Sequence, residues 1–256
     1  MPTTTARQMR YASVADLNAT QHRELVMHLF PKIVPRYDFL NHFLSFGRDR
    51  AWRRLAVKQI QPPQGSVWMD VATGTADLAL EAVRQHPDSL ALAVDFVAEM
   101  IRLGQKKVDR MGATEHIRFV LADAMHLPAV DGSVDVVSVA FGLRNMADRP
   151  SVLHEFYRVL KPGGKLLILE MALPQKKWQK TMFSFYLRRL IPTIAALFSQ
   201  HAIAYAYLGD SIANFPPAGD IIELMRKAGF IKTACRSLTF GVPHLFVGQR
   251  SGSAER

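Results

Sequence analysis

The chain is nearly without cysteine. Cys235 stands alone among 256 residues, so no internal disulfide forms and no cysteine-held metal site can be built. Iron–sulfur radical chemistry is excluded for the same reason, and the pattern suits a reducing cytoplasm. An apolar signal core is also missing. The opening MPTTTARQMRYAS is polar, so secretion is not expected, and residues 1–20 read as a flexible tail. Repeats and low-complexity segments are absent. Leu190 to Gly209 carries no Lys, Arg, Asp or Glu, which raises the question of a membrane span. A span needs about 20 predominantly apolar residues. Pro192 near the start and Ser199, Gln200 and His201 in the middle make this stretch buried or interfacial instead.

What is there is enough for one globular domain, expected over residues 21–250, with a short tail at 251–256. Hydrophobic residues make up 49%, so a sizeable core can be buried. The net charge of +10 fits nucleic acid, an anionic membrane surface, or solubility alone.

Glu24 to Arg54 is apolar and aromatic at helical spacing, and Pro31 and Pro35 are expected to break it into two or three helices. The pattern then changes. Val67–Val71, Leu90–Val94, Ile117–Leu121, Val134–Val139 and Leu166–Leu169 are short, partly β-branched runs that read as strands. Helical faces lie between them: Val97, Met100, Ile101, Gly104 and Val108, then Val152, Leu153, Phe156 and Leu160 after Asp148 and Pro150. Lys161-Pro162-Gly163-Gly164 reads as a stop and turn. After an interruption at 171–217 come a helix at Asp220–Ala228 and strands at Ile231–Leu238 and His244–Gln249. Alternating strands and helices predict an α/β fold: a parallel sheet covered on both faces.

In such sheets ligands bind at the carboxyl ends of the strands. The first strand ends at Asp70 and leads into the small residues Ala72-Thr73-Gly74-Thr75-Ala76 before a helix. Little side-chain bulk there implies something that touches the backbone. The second strand ends at Asp95, the third leads to Asp123 and Ala124, and the fourth leads to Ala140-Phe141-Gly142-Leu143-Arg144-Asn145. Acids at successive strand ends suit hydroxyls, amines and positive charge better than phosphate. Asp95 is placed to accept from ribose hydroxyls, which such an acid does about 20 residues beyond the turn. Asp123 suits an adenine amino group, and Asp70 either orients the turn or faces an ammonium. This lining fits S-adenosylmethionine better than a dinucleotide.

These residues lie in a wider pattern. RYDFLNHFLSFGRDRAWRR (Arg36 to Arg54), AFGLRNMAD (Ala140 to Asp148), YRVLKPGGKLLILE (Tyr157 to Glu170), YAYLGDSIANFPP (Tyr205 to Pro217) and LTFGVPHLFVG (Leu238 to Gly248) together resemble the ubiquinone/menaquinone biosynthesis C-methyltransferases. These belong to the class I S-adenosylmethionine-dependent methyltransferases. The resemblance implies a Rossmann-like, mostly parallel seven-stranded sheet, a helical lid over residues 21–60 and a helical insertion at 171–218 after the fifth strand. It implies cofactor contacts from Asp70, Gly74, Thr75, Asp95, Met100, Asp123, Ala124 and Ala140, and a lid contact from Tyr37. The implied reaction is methyl transfer to a ring carbon of a reduced, prenylated quinone precursor. Arg144 is the candidate for stabilising the ionised ring oxygen, with Asn145 as hydrogen-bonding partner; a bridge from Arg144 to Asp148 is the structural alternative.

The turn departs from the family's usual Asp-hydrophobic-Ala-Gly-Gly-Thr-Gly-Asp. Thr73 and Ala76 replace two glycines, and Ala140 replaces a serine. Thr73 is tolerable if its side chain points away from the ligand, and Ala76 if it opens the helix with ordinary dihedrals. Other readings are a methyltransferase of the same fold for another lipophilic or aromatic molecule, and a non-catalytic S-adenosylmethionine-binding protein. A nucleic-acid methyltransferase draws only on the charge, and AFGLRN is not the Asp/Asn-Pro-Pro-aromatic run of enzymes that methylate base amines. A lipophilic quinol-type substrate, a cytoplasmic location with peripheral contact at the inner face of the membrane, and no nucleic-acid partner are therefore expected. Self-association into a homo-oligomer is left open.

Overall fold

The computed structural model describes residues 13–33, 42, 45–174, 176–190 and 202–252. Seven apolar runs form one sheet: β1 (Val67–Val71), β2 (Leu90–Asp95), β3 (Ile117–Leu121), β4 (Val134–Ala140), β5 (Leu160–Met171), β6 (Phe230–Ser237) and β7 (Pro243–Arg250). Their order is β3-β2-β1-β4-β5-β7-β6. β7 is antiparallel to β5 and β6, and the other pairs are parallel. Between and around them run α1 (Ala19–Ile33), α2 (Arg48–Lys58), α3 (Asp77–Gln85), α4 (Ala98–Arg110), α5 (Arg149–Val159), α6 (Lys177–Phe185), α7 (Ala202–Ala213) and α8 (Ala218–Lys227).

Successive strand residues point to opposite faces, and the two cores follow that alternation. Met69, Val137, Leu166 and Ile168 pack with Phe156 of α5 and Ile221 and Met225 of α8. Trp68, Val136, Leu167 and Leu169 pack with Trp52 and Ala56 of α2 and Leu78 and Ala82 of α3. Burial on both faces explains why the central strands read as continuous apolar runs. The register sets Asp70 beside Ala93 of β2 and Ser138 of β4, so these strands reach their carboxyl edge together.

Some expectations need correction. Lys161–Gly164 is no turn between elements; Leu160 pairs with Val134 and Lys165 with Val136, so the four residues bulge out within β5. Pro31 lies inside α1, near its end. Residues 13–20, expected in the tail, make a 3-10 turn at Val14–Asp16 and the start of α1. That turn is tied to α7 by Ser13 Oγ and the Val14 N–H, both donating to the Asp210 carboxylate. Tyr37, Asp38, Pro35 and most of 190–201 lie outside the described residues. Among those described, no helix is long and apolar enough to cross a membrane.

Candidate active site

The chain leaves β1 toward β2 on one side and returns as β4 on the other, so a crevice opens between the carboxyl ends of β1 and β4. A cavity of about 430 Å³ lies there, within the usual range for small-molecule sites. Gly74, Asp95, Met100, Asp123, Ala124, Ala140 and Asn145 all line it.

The turn after β1 is held by two buried acids. Asp70 accepts from Thr73 Oγ1 at 2.6 Å and from Ser138 Oγ at 2.7 Å. Ser138 Oγ in turn accepts from the Trp68 indole at 2.8 Å. Burial pushes the Asp70 carboxyl up to about 6, against those hydrogen bonds and the Arg53 charge. Asp95 Oδ2 accepts the Gly74 N–H at 2.8 Å and Oδ1 accepts the Val97 N–H at 2.9 Å. Burial raises its pKa as well, against its backbone donors. The Thr73 side chain is thus spent on Asp70, and Thr73 is not among the residues lining the cavity.

Ala76 departs from expectation. It caps α3 in the left-handed region, with φ 65° and ψ 25°, and Ala72 has φ 52°. Each such non-glycine residue carries a cost of about 1–2 kcal/mol. The loop after β4 presses on this turn: a Cβ on Gly142 would sit 2.7 Å from the Ala72 Cβ.

Three expected residues do not line the cavity. Asp70 is turned into the Trp68–Ser138 hydrogen-bond chain. Thr75 is buried behind the turn, where its Oγ1 accepts from Lys107 Nζ at 3.2 Å. Arg144 is also buried: its Nη1 pairs with Glu170 Oε1 at 2.6 Å and its N–H donates to Glu170 Oε2 at 3.0 Å. The structural alternative, a bridge from Arg144 to Asp148, is not what forms: the partner is Glu170. Asp148 instead caps α5 by accepting the Ser151 N–H.

Behind the turn, His42, Asp49 and Asp77 come as close together as metal ligands would. Cations already fill the gap, since Arg53 pairs with Asp49 at 2.5 Å and Lys107 with Asp77 at 2.5 Å. The trio is an ion-pair network bracing α2, α3 and α4.

A helical lid was expected over residues 21–60, but the residues of α1 that line the cavity were not named. α1 contributes Ala19, Arg23, Val26 and Phe30, spaced as one helical face, and Arg23 Nη2 reaches Asp123 Oδ2 at 3.0 Å. That spacing was the available signal. Glu170 was missed although it too is an acid at a strand end. His22 and Tyr207 were missed with no local signal: His22 Nε2 lies 3.0 Å from the Tyr207 hydroxyl, which donates to Asn145 Oδ1 at 2.8 Å.

Residues 16–250 match the model of the ubiE/COQ5 methyltransferase family. The chain belongs to that family. It is 45% identical over 232 residues to the ubiquinone/menaquinone biosynthesis C-methyltransferase UbiE of Geobacter sulfurreducens, covering 90% of each chain. It is 38% identical to the demethylmenaquinone methyltransferase of Bacteroides fragilis, covering 91% of this chain and 95% of that one. Among solved structures, an S-adenosylmethionine-dependent methyltransferase from Thermotoga maritima superposes with a TM-score of 0.61 at 17% identity, covering 88% of this chain and all of that one. At that identity the likeness is one of fold, the Rossmann-like methyltransferase fold.

The lining fits the family's cofactor. Asp95 spends part of its acceptor capacity on backbone donors, and a carboxylate has about four acceptor positions. Gly74 offers backbone without a Cβ, and Phe96, Met100 and Ala124 give an apolar bed for a flat ring.

Proposed function

We propose that this chain methylates a ring carbon of a reduced, prenylated quinone precursor, demethylmenaquinol or the benzoquinol of the ubiquinone pathway. The observation that carries the reading is the cavity itself, with acids and backbone at the β1–β3 ends and an amide, Asn145, at the end of β4. The names of the two relatives support the substrate class. S-adenosylmethionine, when bound, supplies a methyl group already activated on a sulfonium.

In this reading Asp95 holds the ribose hydroxyls and Asp123 the adenine amino group, while Gly74, Met100, Ala124 and Ala140 give close packing. The chain's main work is alignment and exclusion of water. α1 serves both by roofing the cavity. A ring carbon becomes nucleophilic as the neighbouring hydroxyl ionises, and donors aimed at that oxygen favour the step. Asn145 lies at the cavity for this role. Arg144 acts behind it: bound to Glu170 and to the Phe141 carbonyl, it fixes the loop that carries Asn145.

Calorimetric titration with S-adenosylmethionine tests the cofactor site. Wild type should bind saturably, and Asp95→Ala should bind at least ~10-fold more weakly, the loss of one well-made polar contact. Turnover of demethylmenaquinol against the ubiquinone-pathway benzoquinol then decides the ring. No binding by folded wild type overturns the reading.

The same reading places the prenyl tail near a lipid surface, and α6 suits one. Trp178, Met182 and Phe185 are exposed at 60%, 54% and 65% and fall on one helical stripe. Lys176, Lys177 and Lys180 are exposed around them. An apolar stripe edged by lysines matches an anionic bilayer. Trp52 and Trp68 are buried, so a blue shift of fluorescence on adding phosphatidylglycerol vesicles reports Trp178. No shift at low salt counts against the contact.

A further inference from the structure

Asn145 ends the 3-10 turn Leu143–Asn145 and lines the cavity. Its Oδ1 accepts the Tyr207 hydroxyl at 2.8 Å. The Tyr207 oxygen also lies 3.0 Å from His22 Nε2. Both outer residues are buried, Tyr207 4% exposed and His22 3%. The order of donors follows from chemistry. An amide oxygen only accepts, so the single phenolic proton points to Asn145. The phenol must then accept from His22, which fixes the proton on Nε2. Burial first, and then the Arg149 charge, lower the His22 pKa and favour the neutral ring.

The same placement of the Asn145 amide decides which of its groups faces the cavity. Its oxygen is committed to Tyr207, so the group left for the cavity is the NH2. Among the described residues Nδ2 has no partner. A cavity-lining NH2 with no partner is a donor for an oxygen that arrives with the acceptor.

We propose that Tyr207, backed by His22, is a positioning residue for methyl transfer: it holds the Asn145 carbonyl aside so that Nδ2 donates to the acceptor's ionising ring oxygen. The inference rests on the quinol reading above. The three residues come from α1, the loop after β4 and α7, so the donor is aimed only when all three have docked. The roof over the cavity and the aim of the donor are thus one arrangement.

The test begins without substrate. Histidine 15N spectra at neutral pH, with His22 assigned by its loss in His22→Gln, should show the Nε2–H tautomer. An Nδ1–H tautomer reverses the chain and overturns the proposal. Kinetics follow with demethylmenaquinol. Tyr207→Phe should lower kcat by about 10- to 100-fold, up to the scale of losing one oxyanion donor, with KM for S-adenosylmethionine and Tm near wild type. In an Asn145→Ala background the same change should cost less than about twofold, because Tyr207 acts through Asn145. His22→Gln, which keeps an N–H near Nε2, should retain more kcat than His22→Leu. Unchanged kcat in Tyr207→Phe, or losses that multiply in the double variant, overturn the proposal. A wild type that binds S-adenosylmethionine but methylates no quinol overturns the quinol reading instead, and the His22 tautomer still decides the order of the chain.

Discussion

The cavity has two walls, and they are held together differently. On the cofactor wall the turn is fixed mostly by near neighbours in sequence: Val97 to Asp95 across 2 residues, Thr73 to Asp70 across 3, Gly74 to Asp95 across 21. The longest bond within the turn itself, Ser138 to Asp70, crosses between two adjacent strands. On the acceptor wall one bond is local, Arg144 to the Phe141 carbonyl across 3 residues, and the others run across 26, 62 and 185. The cofactor wall follows almost at once from correct strand pairing. The acceptor wall forms only when α1, the loop after β4 and α7 have all settled. It can therefore be undone from distant places.

The largest expected effect strikes the acceptor wall. Glu170→Gln leaves the buried Arg144 charge without its carboxylate. Breaking a buried pair from one side costs about 3–5 kcal/mol, to be read from urea unfolding at an unchanged slope. A cost under about 1 kcal/mol would mean that this pair does not hold the wall.

Next comes a pH effect on the cofactor wall. The Asp70 carboxyl is pushed up to about 6 in the folded chain, against an ordinary value near 4. Between those values the folded state holds one more proton than the unfolded state, so this group's contribution is present at low pH and falls as pH rises through about 6. Asp70→Asn cannot lose that proton. Its stability relative to wild type should rise by up to about 3 kcal/mol from pH 4 to pH 7. A difference that stays flat over this range would show that Asp70 is ionised throughout.

The smallest effect concerns strain in the turn. Ala76→Gly relieves a left-handed alanine, worth about 1–2 kcal/mol, and is offset by the greater freedom of unfolded glycine, about 0.5–1 kcal/mol. The expected result is a Tm equal to wild type or a few degrees higher, with S-adenosylmethionine affinity unchanged. A lower Tm would show that the Ala76 methyl packs better than its backbone is strained.

Much of this was legible in the chain. β1 and β3 span the runs the sequence marked, and β2 and β4 extend theirs by one residue, because apolar runs bounded by acids and turn residues have few other ways to bury themselves. Asp148 and Pro150 open α5 as their types require. The Lys161–Gly164 segment was misread because a bulge and a turn use the same residues, and only the pairing of β4 with β5 tells them apart. Ala76 was misread because its left-handed backbone is imposed by the tight entry into α3, against alanine's own preference.

The sequence alone determined the alternating fold, the acids at three strand ends and the family, since each is written in local spacing or in contiguous motifs. Tertiary structure alone decided which way those side chains face. Asp70, Thr75 and Arg144 carry the right chemistry for the cavity and yet are turned from it by Ser138, Lys107 and Glu170. Asn145 is aimed by a tyrosine and a histidine far away in the chain. A side chain at the end of a strand goes to the partner that satisfies its buried charge or hydrogen bond, and that partner is set by packing.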